Sequence, residues 1–317
     1  MATTGDIALD VVFSFISSIG VVGNILVCLV VLLNKPMRTP MNYLLVNLAI
    51  SDMMLLVFLT MHFVFHHSLD DISCKVVSVF AWTGGYASSF FLVAIAVERF
   101  FAVTRPQDIQ RRITITKVKI IALSCWLLAL AWNSIGFKTR HFNSQLGRCK
   151  GKWRYNDARK AYKLLSFFFV GVLPVTIMFL LYSKVVYSLW FKTNKSPDSC
   201  TQIAALKNRQ KVTKIVLSVS LLYAVCWLPE LFLFVLKTYK PGVIQGTKSF
   251  AITVAILCIN SAANPLIYCF HSQRFRCHLQ KLLKCGNADS YRLKDTGSPS
   301  TTRVENQANL ISTQADD

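Results

Sequence analysis

Acidic residues are scarce: 15 Asp and Glu stand against 35 Lys and Arg in 317 residues, and charges of both signs make up only 16% of the chain. With 53% hydrophobic residues and a positive mean hydropathy, that scarcity excludes a soluble globular domain. Catalytic signatures are missing too. There is no HExxH, no GxSxG and no catalytic pair of carboxylates, so nothing supports a membrane enzyme. The ten cysteines contain no CxxC and no metal-ligand spacing. No Lys or Arg precedes the first apolar run, and a removable signal peptide's basic start and small-residue cleavage site are lacking. The first run is therefore expected to act as its own anchor.

What the chain does contain is apolar length. Runs near 7–33, 41–65, 75–104, 116–137, 162–190, 212–236 and 248–270 each reach the roughly 20 residues needed to cross about 30 Å of hydrocarbon. They predict an all-α membrane protein, a bundle of seven spanning helices with its termini on opposite sides. Basic residues orient it. Arg105, Arg111, Arg112, Lys117 and Lys119 follow run three, and Lys192, Lys195, Lys207, Arg209, Lys211 and Lys214 follow run five. Arg274, Arg276, Lys281 and Lys284 follow run seven. The N-terminus is expected outside.

One outer connection departs from this rule. Lys138, Arg140, Arg148, Lys150, Lys152, Arg154, Arg159 and Lys160 lie between runs four and five, with Asp157 as the only acid. The connection would attract an acidic peptide or another anion, or lie over lipid headgroups. The remaining cations sit at the cytoplasmic face, where anionic lipid and partner proteins account for them; no nucleic-acid partner is expected. Cys74 and Cys149 both face the oxidising side and are expected to pair, two free thiols being the alternative.

The last run ends Asn260-Ser261-Ala262-Ala263-Asn264-Pro265-Leu266-Ile267-Tyr268. A proline within a spanning helix frees a backbone carbonyl, and a buried amide needs a partner on a neighbouring helix. The segment reads as a polar hinge. It has company along the chain: Gly23-Asn24, Leu48-Ala49-Ile50-Ser51-Asp52, Cys74, Glu98-Arg99-Phe100, Trp126, Pro174, Tyr182 and Cys226-Trp227-Leu228-Pro229. Together and in this order, these motifs make residues 10–285 resemble a rhodopsin-like (class A) G-protein-coupled receptor. The expected organisation is a short extracellular segment 1–6, a receptor domain 7–271, an amphipathic surface helix 272–285 and a disordered cytoplasmic tail 286–317, in the plasma membrane.

The resemblance implies an activation switch made of Glu98, Arg99, Tyr182, Tyr223, Trp227, Pro229, Asn264, Pro265 and Tyr268. Arg99 is restrained by Glu98 at rest and then released toward a heterotrimeric G protein. Arg209 stands where some family members carry an acid that locks this arginine, so a weak lock and ligand-free signalling are expected. Asp52 sits mid-span, where a carboxylate costs about 2.5–3.5 kcal/mol. The resemblance implies that Asp52, Ser88, Asn260 and Asn264 hold an allosteric sodium ion, the alternative being a protonated or water-bridged aspartate. Tyr223 and Ser89 depart from the family's apolar connector near Pro174. Their hydroxyls either bond to each other or bond separately to their own helices.

Candidate pocket residues are His62, His66, Ala81, Trp82, Tyr86, Glu230 and Phe250. Ala81 replaces the aspartate of amine receptors, and Cys258 replaces the lysine that holds retinal in opsins, although residues 38–43 look opsin-like. A small peptide fits best, with an opsin-related, lipid or small-anion receptor as the alternative and a transporter behind it. Glu230 pairs with a ligand cation, is protonated, or bridges to a histidine. His62 and His66 share a helix face at i, i+4.

In 272–285, Phe275, Leu279, Leu282 and Leu283 share one face, which predicts a helix lying along the membrane lipid. Cys277 and Cys285 are palmitoylated there or remain free thiols. Thr296, Ser298, Ser300, Thr301 and Thr302 would recruit arrestin once phosphorylated.

Overall fold

The computed structural model describes residues 4–65, 68–105, 114–145, 147–191, 200–239 and 247–283, by backbone alone at 4–9, 191, 200–205, 208, 247–251 and 283. His66, Cys285, the tail hydroxyls and the Phe250 side chain lie outside the described set.

Seven helices are long and apolar enough to cross a membrane, and local chemistry sets where several of them begin. The second span, Pro40–Phe63, opens on a proline, which needs no hydrogen-bond acceptor there, and on Thr39, whose hydroxyl accepts from Asn42 N at 3.3 Å. Asp70 caps the third span, Asp71–Thr104, by accepting from Ser73 N at 2.7 Å. Hydrogen bonds from Ser73 hold this exposed carboxyl below the usual carboxylate range. Thr114 caps the fourth span, Ile115–Asn133, in the same way.

The first span is Thr4–Leu33, and the sixth and seventh are Cys200–Tyr239 and Thr247–His271. The fifth begins at Asn156, six residues before the apolar run does, and crosses two π-helical stretches, Phe167–Val172 and Tyr187–Phe191. Its first turns are amphipathic, so hydropathy alone starts the span too late. A short helix, Gln273–Leu283, follows the seventh span.

The third span packs against the second, fourth, fifth and sixth and forms the centre of the bundle. Small residues permit this. A Cβ on Gly84 would stand 2.7 Å from both Leu55 N and Ser51 O, so the second and third spans touch backbone to backbone beside Asp52. Polarity is inverted relative to a water-soluble fold: Phe179 and Phe270 are 69% and 74% exposed, whereas Asn24 and Asp52 are fully enclosed. Trp126 Nε1 donates to Asn47 Oδ1 at 3.2 Å and ties the fourth span to the second.

Expectation and structure differ most in the basic outer connection. Arg140–Asn143 (β1) and Arg148–Gly151 (β2) pair antiparallel, with Phe142 opposite Cys149. Gly147 takes φ 57°, a left-handed conformation that closes the turn without a Cβ clash. Cys149 is disulfide-bonded to Cys74, and Phe142 N donates to Asp71 Oδ1 at 3.0 Å, so the hairpin is pinned across the outer end of the third span.

Candidate functional site

The interior polar groups lie along one route through the bundle. Midway, the Asp52 carboxylate accepts from Ser88 Oγ at 3.1 Å, Ser261 Oγ at 2.8 Å and Asn264 Nδ2 at 2.7 Å. Two of the partners expected from sequence, Ser88 and Asn264, are therefore in place. Asn260 is buried but makes no hydrogen bond to Asp52, and its position is taken by Ser261. Helical spacing alone does not decide between them, since Ser261 lies three and Asn260 four residues before Asn264 and both fall on its face. Asn260 Oδ1 and Asn264 Oδ1 are buried acceptors without a donor. An oxygen-only set with spare acceptors fits a small hard cation. Among the described residues, no cluster of three His, Cys, Asp or Glu side chains offers a softer metal site.

Prolines organise the rest. Pro265 has no N–H to give the Ser261 carbonyl four residues earlier. That carbonyl accepts from Asn24 Nδ2 at 3.1 Å, which joins the first span to the seventh. In the fifth span Pro174 leaves the Val170 carbonyl in the same position. Tyr223 Oη donates to it at 2.5 Å and Ser89 Oγ at 3.3 Å. The two hydroxyls thus converge on one carbonyl of a third helix, instead of bonding to each other or to their own helices. Trp227, fully enclosed, stacks on Tyr223 with ring centroids 5.5 Å apart and meets the edge of Tyr86 at 6.5 Å. Pro229 lies two residues further along the sixth span, inside the helix.

At the inner end Arg99 pairs with Glu98, its neighbour in sequence. Tyr182 Oη accepts from Ser220 Oγ at 3.4 Å, tying the fifth span to the sixth. Tyr268 is buried with its hydroxyl unpartnered, and its ring meets Phe275 of the following helix at 6.4 Å. Arg209 is half-buried near the start of the sixth span, and Cys277 is half-buried in the short helix.

At the outer end, a cavity of about 240 Å³ opens beneath the hairpin. Its cations are Arg140, Arg159, Lys163 and Lys237. Trp82, Tyr86 and Glu230, all expected in the pocket, line a niche of about 30 Å³ that shares Trp82, Arg140, Tyr162 and Phe234 with that cavity. Ala81 and His62 line neither, and His62 Nδ1 lies 3.3 Å from Ser78 Oγ. Glu230 is 1% exposed with both carboxylate oxygens unbonded, so no histidine bridge forms. Lys163 and Lys237 escaped the sequence reading because they stand at the edges of apolar runs, Lys163 just inside 162–190 and Lys237 just past 212–236. The signal for Lys163 was its place one turn after Arg159.

Because Tyr223 and Ser89 share one acceptor, their effects on activation should not add. We expect Tyr223→Phe and Ser89→Ala to show a coupling of about 0.5–2 kcal/mol in a double-mutant cycle on receptor activation. Strict additivity would show two independent hydroxyls.

Comparison with known proteins places these features in a lineage. Residues 23–268 match the family described as 7 transmembrane receptor (rhodopsin family). The allatostatin-A receptor of Bombyx mori is 28% identical over 311 residues, covering 94% of this chain and 84% of that receptor. The substance-K receptor of Mus musculus is 26% identical over 313 residues, covering 93% and 81%. The tachykinin-like peptides receptor 86C of Drosophila melanogaster is 28% identical over 298 residues, covering 87% of this chain and 58% of that receptor. With a match that runs from the Gly-Asn of the first span to the tyrosine that ends the seventh-span motif, the chain belongs to the rhodopsin family of seven-transmembrane receptors.

Proposed function

We propose that the protein is a peptide receptor of the plasma membrane: a small extracellular peptide enters the cavity beneath the hairpin, and a cytoplasmic heterotrimeric G protein is activated in response. The observation that carries this reading is the cavity itself, walled by aromatic and basic side chains directly above Trp227, in a chain whose relatives are named as receptors for allatostatin, tachykinin-like peptides and substance K. Below Trp227, Tyr223 and the Val170 carbonyl link the sixth span to the fifth, so a shift of the indole moves both helices. The basic residues of the inner connections favour an extracellular N-terminus. The short helix after the seventh span suits the lipid surface, and the phosphorylatable tail suits arrestin.

Sodium belongs to the same reading. Asp52, Ser88, Asn260 and Asn264, with Ser261 beside them, would hold the ion with oxygen donors, and its charge would offset the enclosed carboxylate. Sodium chloride should then raise the melting temperature of the purified receptor relative to choline chloride at equal ionic strength. Asp52→Asn should remove the difference, and a wild-type protein indifferent to sodium would contradict the site.

Coupling is tested in cells that display wild type and Arg99→Ala at equal surface density, first without ligand and then with a peptide library. Wild type should signal above empty vector at rest, since the Arg99 lock relies on Glu98 and Arg209 adds no acid, and a peptide should raise that signal. Arg99→Ala should lower both by about tenfold or more, the scale of about 1.4 kcal/mol. Equal signalling by the variant would contradict the proposal.

A further inference from the structure

The outer cavity and its niche bring groups of opposite charge close together. Glu230 lines the niche, enclosed and with neither carboxylate oxygen hydrogen-bonded, while Arg140, Arg159, Lys163 and Lys237 line the cavity and Arg140 lines the niche as well. Lys163 is turned aside: its Nζ sits 4.2 Å from the Phe234 ring centroid and donates to Phe234 O at 3.5 Å. Arg140 is half-buried under the hairpin, where loss of water pushes its pKa below the usual guanidinium range.

Neither charge is satisfied by a ligand of one sign. An anion alone would settle among the cations and leave the enclosed Glu230 unpaired, which is costly in a low-dielectric interior. A cation alone would have to pass the basic vestibule against repulsion. A niche of about 30 Å³ is also small. It exceeds the roughly 10–15 Å³ that one water needs, so a compact ammonium fits it. Its lining sets Arg140 near Glu230, so a carboxylate beside the ammonium is needed to offset the guanidinium, and Trp82, Tyr86, Tyr162 and Phe234 offer aromatic faces and edges to the ammonium.

We propose that this cavity reads the end of a ligand on which a primary ammonium and a carboxylate lie close together, the ammonium entering the niche against Glu230 and the carboxylate facing Arg140, Arg159 and Lys163. A peptide with a free N-terminus and an acidic first residue has this chemistry, as does a free acidic amino acid. The inference rests on the reading of the cavity as a peptide site and specifies which end of the peptide enters first. Charges then alternate from Glu230 outward, and each buried group gains a partner of opposite sign.

The test uses three peptide pools, randomised after the first position: Glu-first with a free N-terminus, the same pool N-acetylated, and Gln-first with a free N-terminus. Free glutamate is a fourth probe. Wild-type receptor should respond to the free Glu-first pool at concentrations at least about tenfold lower than to either other pool. Glu230→Gln should erase the discrimination against acetylation, and Arg140→Gln the discrimination between Glu and Gln. These are ratios within one variant, so a general loss of expression or affinity does not imitate them. Equal potency of the pools on wild type, discrimination that persists in both variants, or no response to any probe overturns the inference. A response to peptides regardless of their first residue leaves the peptide reading standing while this one falls. Activation by free glutamate alone, lost in both Glu230→Gln and Arg140→Gln at equal surface density, upholds the charge pattern and removes the peptide.

Discussion

A backbone carbonyl inside a lipid-embedded helix must find a donor, and a proline four residues later takes its usual one away. That single constraint explains much of this interior. Pro174 withholds an N–H from the Val170 carbonyl, and Pro265 withholds one from the Ser261 carbonyl. In both cases a side chain from another helix responds: Tyr223 and Ser89 at Val170, Asn24 at Ser261. Each proline therefore does more than bend its own helix. It creates an acceptor that specifies which neighbour packs there and in what register, in an environment where hydrophobic attraction between helices is weak.

These two acceptors lie on the route between the outer cavity and the inner arginine. Tyr223 carries the stack under Trp227, and Ser261 offers its hydroxyl to Asp52 while its carbonyl holds Asn24. In the proposed receptor the same residues would serve both packing and transmission. Bonds of this kind contribute about 0.6 kcal/mol each on average in membrane interiors, so a ligand of modest affinity has enough free energy to exchange one arrangement for another. Rigidity is concentrated at the ends of the third span: the disulfide and the Phe142–Asp71 bond fix the hairpin at one end, and the Glu98–Arg99 pair stands at the other.

Much of this was legible in the sequence. Seven apolar runs gave the spans, and Asp52, Trp227, Asn264 and the prolines announced themselves as groups that lipid tolerates only for a reason. Tertiary specificity was harder to read. Ser261 was passed over for Asn260, and helical phase could not separate them, since they stand three and four residues before Asn264. Tyr223 and Ser89 were recognised as unusual hydroxyls, but their common acceptor is a main-chain carbonyl with no sequence signature beyond the proline four residues on. The hairpin in the basic connection was missed because two four-residue strands rich in charge carry no alternation of polarity. Lys163 and Lys237 were hidden at the edges of apolar runs, where long side chains reach a polar cavity from an otherwise lipid-facing helix.

The most direct measurement of the central claim restores the missing donor. Val170 lies in the π-helical stretch before Pro174; in Pro174→Ala the amide of residue 174 can bond the Val170 carbonyl once that stretch tightens to an α-helical turn, and the hydroxyl of Tyr223 then has less to satisfy. The thermal stability of wild type, Pro174→Ala, Tyr223→Phe and the double variant should show that Tyr223→Phe costs less in the alanine background, by about 0.5–1.5 kcal/mol. An equal cost in both backgrounds would contradict the claim, because it would mean that the tyrosine packs on the fifth span for reasons unrelated to the proline.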